Sequence, residues 1–192
     1  MIRPARPEDA LEAANLIMIV LKDMDLDIFN RLPEEQVRDL LVQSYMKDEA
    51  YRYGFRNALV KEINGSVAGI VFGFPDHLEN DIDNAFITVL SENNLSEEFK
   101  LFTEPEVFQN EWYIDTLVTS PDFRGQGVAS ELLNAIADLA KQCDKQVLGL
   151  NVDKVNEHAK QIYLRSGFEN VGELTIANHA YEHLQKKLDN IT

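Results

Sequence analysis

"SPDFRGQGVASELL", residues Ser120 to Leu133, sets two glycines beside an arginine and passes directly into a segment of helical character. The strand-like stretch "EWYIDTLVTS" (111–120) precedes it, and Leu132, Leu133, Ile136 and Leu139 then recur as one stripe of an amphipathic helix. A strand, a tight turn and a helix in that order put the unpaired N–H groups of the helix's first turn at the tip of a sheet. The positive end of the helix dipole points the same way, and small side chains let an anion approach the main chain. Arg124, Gly125, Gln126, Gly127, Val128, Ala129 and Ser130 therefore read as a site for a phosphate or pyrophosphate.

Two familiar phosphate motifs do not fit. A Walker loop needs Gly-Lys-Ser/Thr after its second glycine spacing, and no lysine follows Gly127. A dinucleotide fingerprint needs a glycine where Ser130 stands, and too little chain follows to build the rest of a doubly wound sheet. Taken alone, the stretch also reads as a glycine turn with a capped helix and no ligand.

The chain of 192 residues carries 18 Lys and Arg against 33 Asp and Glu, a formal charge of −15. Such a field disfavours nucleic acid and anionic membranes and suits a cationic partner, although an acidic surface also serves solubility. The length suits one domain, 1–192. Cys143 is the sole cysteine, which excludes an internal disulfide; with no histidine motif beside it, it reads as an incidental thiol. "MIRPARPEDA" lacks the apolar run of a signal peptide and no segment is long enough to span a bilayer, so the expectation is a soluble cytoplasmic protein.

"MIRPA" reads as an opening strand. A helix follows, with Leu11, Ala14, Ile17, Met18 and Leu21 as its apolar face, and a second begins at Pro33 and carries Val37, Leu40, Leu41 and Tyr45. "NALVKEINGSVAGIVFGFP" predicts a hairpin turning at Asn64-Gly65. From 76 to 110 acidic residues accumulate among Phe86, Ile87, Val89, Leu90, Phe99, Leu101 and Phe102, which predicts an ordered lid or helical insertion. "QVLGLNV" is a further strand, "NEHAKQIYLRSGF" a helix stopped by Gly167, and "AYEHLQKKL" a last strand closing the sheet. The fold class is α/β of the α+β type: one mixed sheet flanked by helices.

The spacing Arg124, Gly127, Ala129 after "DTLVTSP" resembles the coenzyme A signature of the GCN5-related N-acetyltransferase (GNAT) family. "IRPARPEDA", "INGSVAG" and "NEHAKQIYLRSGF" match further motifs in that family's order. The resemblance runs from Ile2 to about Leu188, is strongest from Glu111 to Phe168, and lapses over 76–110. It implies a mostly antiparallel central sheet and acetyl-CoA as cosubstrate, without a metal. Main-chain groups of Leu117 and Val118 would pair with the pantetheine arm as with an added strand. The amides from Gly125 to Ser130, with Arg124, would hold the pyrophosphate. Asn156 would contact the cofactor arm, or cap the helix that follows. Tyr163, on the helical face of Asn156 and Ala159, would protonate the departing thiolate; as a residue it also reads as a core tyrosine. Many relatives in that family form dimers, so a homodimer is a further implied partner.

Acetyl transfer needs mainly alignment of a neutral amine with a thioester, the carbonyl polarised by a backbone N–H, here expected from Val118. The base is read from "EWYIDTLV": alternation places Glu111, Tyr113 and Asp115 on one face and Trp112, Ile114 and Thr116 on the other. Asp115 is the candidate, directly or through water, with a buried carboxylate bonded to a neighbouring tyrosine or backbone as the other reading; Glu111 is a weaker candidate. Carboxylates and aromatics on the acceptor side point to a small cationic amine or an exposed peptide amine. A module that binds acyl-CoA without turnover is the alternative function.

Overall fold

A computed structural model describes residues 1–189; the last three positions of the expected 1–192 domain lie outside the described residues. The chain opens with β1 (Ile2–Pro4), a short 3-10 turn at Pro7–Asp9 and α1 (Ala10–Lys22). Arg3 clips this start together: its guanidinium donates to both oxygens of Asp9 at 2.8 Å and to Glu62 at 2.8 Å. Next come α2 (Ile28–Arg31) and α3 (Glu34–Tyr45), the latter entered through Pro33 with Glu34 and Glu35 in its first turn, where acidic side chains favour the helix dipole. Then follow β2 (Ala58–Ile63) and β3 (Ser66–Pro75). Asn64 and Gly65 both have positive φ, 52° and 82°, as a two-residue hairpin turn of the favoured hand requires.

Residues 76–110 form a 3-10 turn (Asp76–Leu78), α4 (Asn84–Glu92) and a second 3-10 turn (Glu97–Phe99). Phe86, Val89, Leu90 and Phe102 enter the same apolar cluster as α1 and α3, so the segment is anchored by burial. β4 (Trp112–Thr119), α5 (Val128–Gln142), β5 (Val147–Asp153), α6 (Glu157–Arg165), β6 (Glu169–Ile176) and β7 (His179–Lys187) complete the order.

The seven strands lie in the order β1-β2-β3-β4-β5-β7-β6, and every neighbouring pair is antiparallel except β4 with β5. One face packs on α5 through Val71, Ile114, Leu132, Ile136 and Leu150. The other packs on α1 and α3 through Ile17, Leu21, Val37, Leu41, Ile70 and Phe72. Gly69 lets α5 approach the sheet, since a Cβ there would lie 2.6 Å from Val128 Cγ1.

Three expectations are corrected. Leu11 is 58% exposed, and Ala10, Ala13 and Leu16 extend the buried face of α1 instead. The final strand β7 sits inside the sheet, and the edge is β6, a strand the sequence did not announce. Thr116 shares the cavity face with Tyr113 and Asp115, because an irregularity at Asp115 breaks the alternation.

Candidate active site

The irregularity creates the site. Phe72 pairs with Thr116 and Gly73 with Ile114, which leaves Asp115 as the extra residue of a β-bulge in β4. Pairing of β4 with β5 runs from Trp112–Leu148 to Ile114–Leu150 and stops there. β5 continues beside β7 through Asp153, so β4 and β5 part from Asp115 and Asn151 onward like the arms of a V.

Which main-chain groups face the opening follows from the ladder. Ser120 N–H donates to Ala68 O at 2.9 Å. Antiparallel groups alternate, so Val118 turns its N–H toward its partner Ile70, while Leu117 and Thr119 present theirs to the open side. The expectation that Val118 N–H polarises a bound carbonyl is therefore corrected; β3 uses that amide, and Leu117 is the residue of the pair that faces the opening.

At the end of β4, Gly125 and Gly127 both have positive φ, 74° and 78°, and a Cβ on either would meet nothing within 4 Å. The mouth of α5 is thus open. No side chain caps it, and the first intrahelical bond is Glu131 N–H to Gly127 O. The amides of Val128, Ala129 and Ser130 precede the helical hydrogen-bond ladder. Arg124, Gly125, Gln126, Gly127 and Ser130 are exposed, Ala129 is half-buried, and Val128 is buried, pinning the turn to the sheet.

The opening leads to a cavity of about 470 Å³ lined by Asp115, Leu117, Asn156, Ala159 and Tyr163, among others. Four expected site residues, Asp115, Leu117, Asn156 and Tyr163, thus converge, whereas Val118 and the turn 124–130 lie outside this lining. Asn156 caps α6, its Oδ1 accepting from Ala159 N–H at 3.1 Å. Tyr163 packs edge-on against Phe168, 5.9 Å between centroids, and burial pushes its hydroxyl up to about 12, so it remains protonated at neutral pH.

Behind the cavity wall, through Glu106 and Asp115, lies a cluster of charges centred on Arg52 that the sequence did not reveal. Arg52, 4% exposed, binds both oxygens of Asp83 at 2.8 and 2.9 Å, Glu106 Oε1 at 3.0 Å and Asp115 Oδ2 at 2.9 Å. Burial works against its charge, but the carboxylates hold its pKa well above the ordinary arginine value. The Asp115 side chain is 3% exposed and is bonded to Arg52 and, at Oδ1, to the Thr116 hydroxyl, partners other than the tyrosine or backbone expected for a buried carboxylate, and it remains in the cavity wall. Burial raises its pKa, against the pull of Arg52. Glu106, 5% exposed, is pushed up to about 7 by burial first, with Asp115 adding to the rise and Arg52 opposing it. Glu111 is fully buried and held by Phe108 N–H, Gln185 and His183, away from the cavity lining.

Among the described residues no group of three or more His, Cys, Asp or Glu side chains is placed to hold a metal ion, and no helix is long and apolar enough to cross a membrane.

The comparisons with known proteins agree with this architecture. A solved acetyltransferase structure superposes with a TM-score of 0.88 at 42% identity, covering 98% of this chain and 100% of that one. An N-acetyltransferase from Staphylococcus aureus Mu50 gives a TM-score of 0.85 at 32% identity, covering 96% and 99%. An uncharacterized N-acetyltransferase of Methanocaldococcus jannaschii is 27% identical over 173 residues, 83% of this chain, and this chain spans 65% of that relative's length. The acetyltransferase (GNAT) family model matches residues 25–168. With three quarters of its length inside that match and the split strands of β4 and β5 at its centre, the chain belongs to the GNAT acetyltransferase family.

Proposed function

We propose that the protein transfers an acetyl group from acetyl-CoA to a primary amine, cationic when free, by direct attack in a ternary complex. The observation that carries this reading is the V between β4 and β5, which joins an uncapped helix mouth at one end to a carboxylate-lined cavity at the other. Gly125 to Ser130 and Arg124 would hold the diphosphate, and the exposed main chain of Leu117 would pair with the pantetheine arm. Tyr163 would give its proton to sulfur. Asp23, Glu106, Asp115 and Asp153 line the cavity, and among the described residues no Lys or Arg does, which favours an ammonium acceptor.

Positioning supplies most of the rate, since aligning two reactants is worth about 7–11 kcal/mol. Thermal unfolding with acetyl-CoA at 100 times its dissociation constant should add about 2.7 kcal/mol of stability. A panel of amines, monitored by thiol release and by mass of the product, tests the chemistry. Acylation confined to neutral or anionic acceptors would refute the acceptor class. Stabilisation by CoA with no amine acetylated would instead support a non-catalytic acyl-CoA-binding module.

A further inference from the structure

The acidic segment between β3 and β4 contributes Phe102 and a single carboxyl to the cavity lining: Glu106, six residues before β4 begins. Its surroundings fix it from every side. Its N–H is held by Glu79 Oε1 at 2.6 Å and its C=O by Asn151 Nδ2 at 2.9 Å. Its Oε1 accepts from Arg52 and its Oε2 from the Tyr113 hydroxyl at 2.9 Å. Asn151 in turn donates to Tyr113 Oη at 3.1 Å and meets His183 Nδ1 at 2.6 Å, and His183 Nε2 meets Glu111 at 2.9 Å. Glu79 and Asn151 therefore fix the Glu106 main chain, and Arg52 and Tyr113 hold its carboxyl at the cavity wall.

We infer that Glu106, rather than Asp115, is the group that takes the proton from the acceptor's ammonium. The inference rests on the proposed acetyl transfer. The charge count around Arg52 supports it: one guanidinium faces three carboxyls, Asp83, Glu106 and Asp115, so full ionisation leaves two uncompensated negative charges in a buried site. The burial that pushes Glu106 up to about 7 suits a base working near neutral pH. Asp83 is turned to both forks of Arg52 and lies outside the cavity lining; Glu106 and Asp115 each hold one Arg52 contact and one hydroxyl donor, and of these two side chains Glu106 is the more exposed, 6% against 3%. Asp23 and Asp153 also line the cavity, together with Tyr53, Tyr113, Tyr163 and Tyr181, and burial raises all four tyrosines above the ordinary tyrosine range, so they stay neutral.

The protons balance as follows. The bound ammonium gives one proton to the Glu106 carboxylate and becomes a neutral amine. Its nitrogen forms the C–N bond as the C–S bond breaks, and the sulfur takes a proton from Tyr163. The second proton lost by the nitrogen restores Tyr163, and Glu106 returns its own to solvent, so each turnover releases one H⁺.

The test is the pH dependence of kcat/KM for the wild type, Glu106→Gln and Tyr113→Phe, with an amine that the wild type acetylates. In the wild type the acid limb should report a group near 7. Glu106→Gln should lower kcat about 10²–10⁴-fold and erase that limb, while acetyl-CoA still raises the unfolding temperature. Tyr113→Phe removes a donor to the carboxylate and should move the limb upward. A folded Glu106→Gln protein with the wild-type rate and limb overturns the assignment, as does a limb unmoved in Tyr113→Phe should Glu106→Gln fail to fold. Carbon-13 titration of the Glu106 carboxyl needs no acceptor, and an ordinary glutamate value there also overturns it. A wild type that acetylates no amine defeats the proposed reaction separately, because the titration still reports on Glu106.

Discussion

Replacing Gly127 by Ala tests whether the open turn serves a ligand or only the fold. Gly127 has φ 78°, a left-handed conformation that costs an L-residue about 1–2 kcal/mol. Its Cβ would meet nothing within 4 Å, so no clash adds to that cost. Gly65, in the turn between β2 and β3, has φ 82° and the same empty surroundings, which makes Gly65→Ala a matched control with the same backbone penalty. Each variant should melt about 2–8 °C below wild type, at roughly 2–4 °C per kcal/mol for a chain of this size. The variants should diverge when acetyl-CoA is added. A methyl at Gly127 stands over the amides that would take the diphosphate, and a tenfold loss of affinity removes about 1.4 kcal/mol of ligand stabilisation. Gly65→Ala should keep the whole of it. Differential scanning calorimetry with and without acetyl-CoA reads both quantities. Equal ligand-induced shifts in the two variants would show that the turn is shaped for the fold alone.

Tyr163→Phe should lower kcat by about 10²-fold or more while leaving acetyl-CoA affinity intact, as measured by initial rates and isothermal titration. Arg52→Ala strands Asp83, Glu106 and Asp115, and breaking such a buried set costs about 3–5 kcal/mol near neutral pH. Because burial already raises the pKa of Glu106 and Asp115, their protonated forms favour the folded state; the deficit against wild type should therefore shrink as pH falls below about 7 and grow above it, as denaturant melts across pH will show. Gly69→Ala should cost about 1–3 kcal/mol, since its Cβ would lie 2.6 Å from Val128 Cγ1 and 3.0 Å from Val118 O; an unchanged melting temperature would mean that α5 is free to shift.

How much of this was legible in the sequence depends on whether a signal is local. The hairpin at Asn64-Gly65 and the glycine turn before α5 are set by backbone conformations that few residues adopt, so the residue types announce them. β6 escaped notice because it is a sheet edge, with Glu169, Asn170, Val171, Glu173 and Thr175 all exposed, and so carries no apolar run. β7 is last in the chain but central in space, a matter of topology that one strand's composition does not encode. The cavity face of β4 was misread at one position because strict alternation fails at a bulge, and no glycine or proline in β4 itself marks it; the partner strand's Gly73 does, since a Cβ there would lie 2.5 Å from Trp112 Nε1. Arg52 and Glu106 are 54 residues apart and meet only through tertiary packing. The signal was faint: one arginine between Tyr51 and Tyr53, and one acid among many in the 76–110 segment.

The arrangement of charge explains how one strongly acidic chain would serve two substrates of opposite sign. Carboxylates are spread over the surface, yet the turn at 124–130 places Arg124 and the α5 amides at the solvent end of the V, where the helix dipole acts over a single turn. A diphosphate there would be held by groups too close to be overcome by a distant field that salt screens within about 8–10 Å. At the inner end the sign reverses. Glu106, Asp115 and Asp83 outnumber Arg52, and burial keeps their interaction with a visiting ammonium from being screened. The two ends therefore differ in salt dependence as well as in sign. Raising ionic strength should weaken acetyl-CoA binding at the exposed turn more than it weakens capture of the amine in the buried cavity, and KM values for the two substrates measured across salt would resolve them.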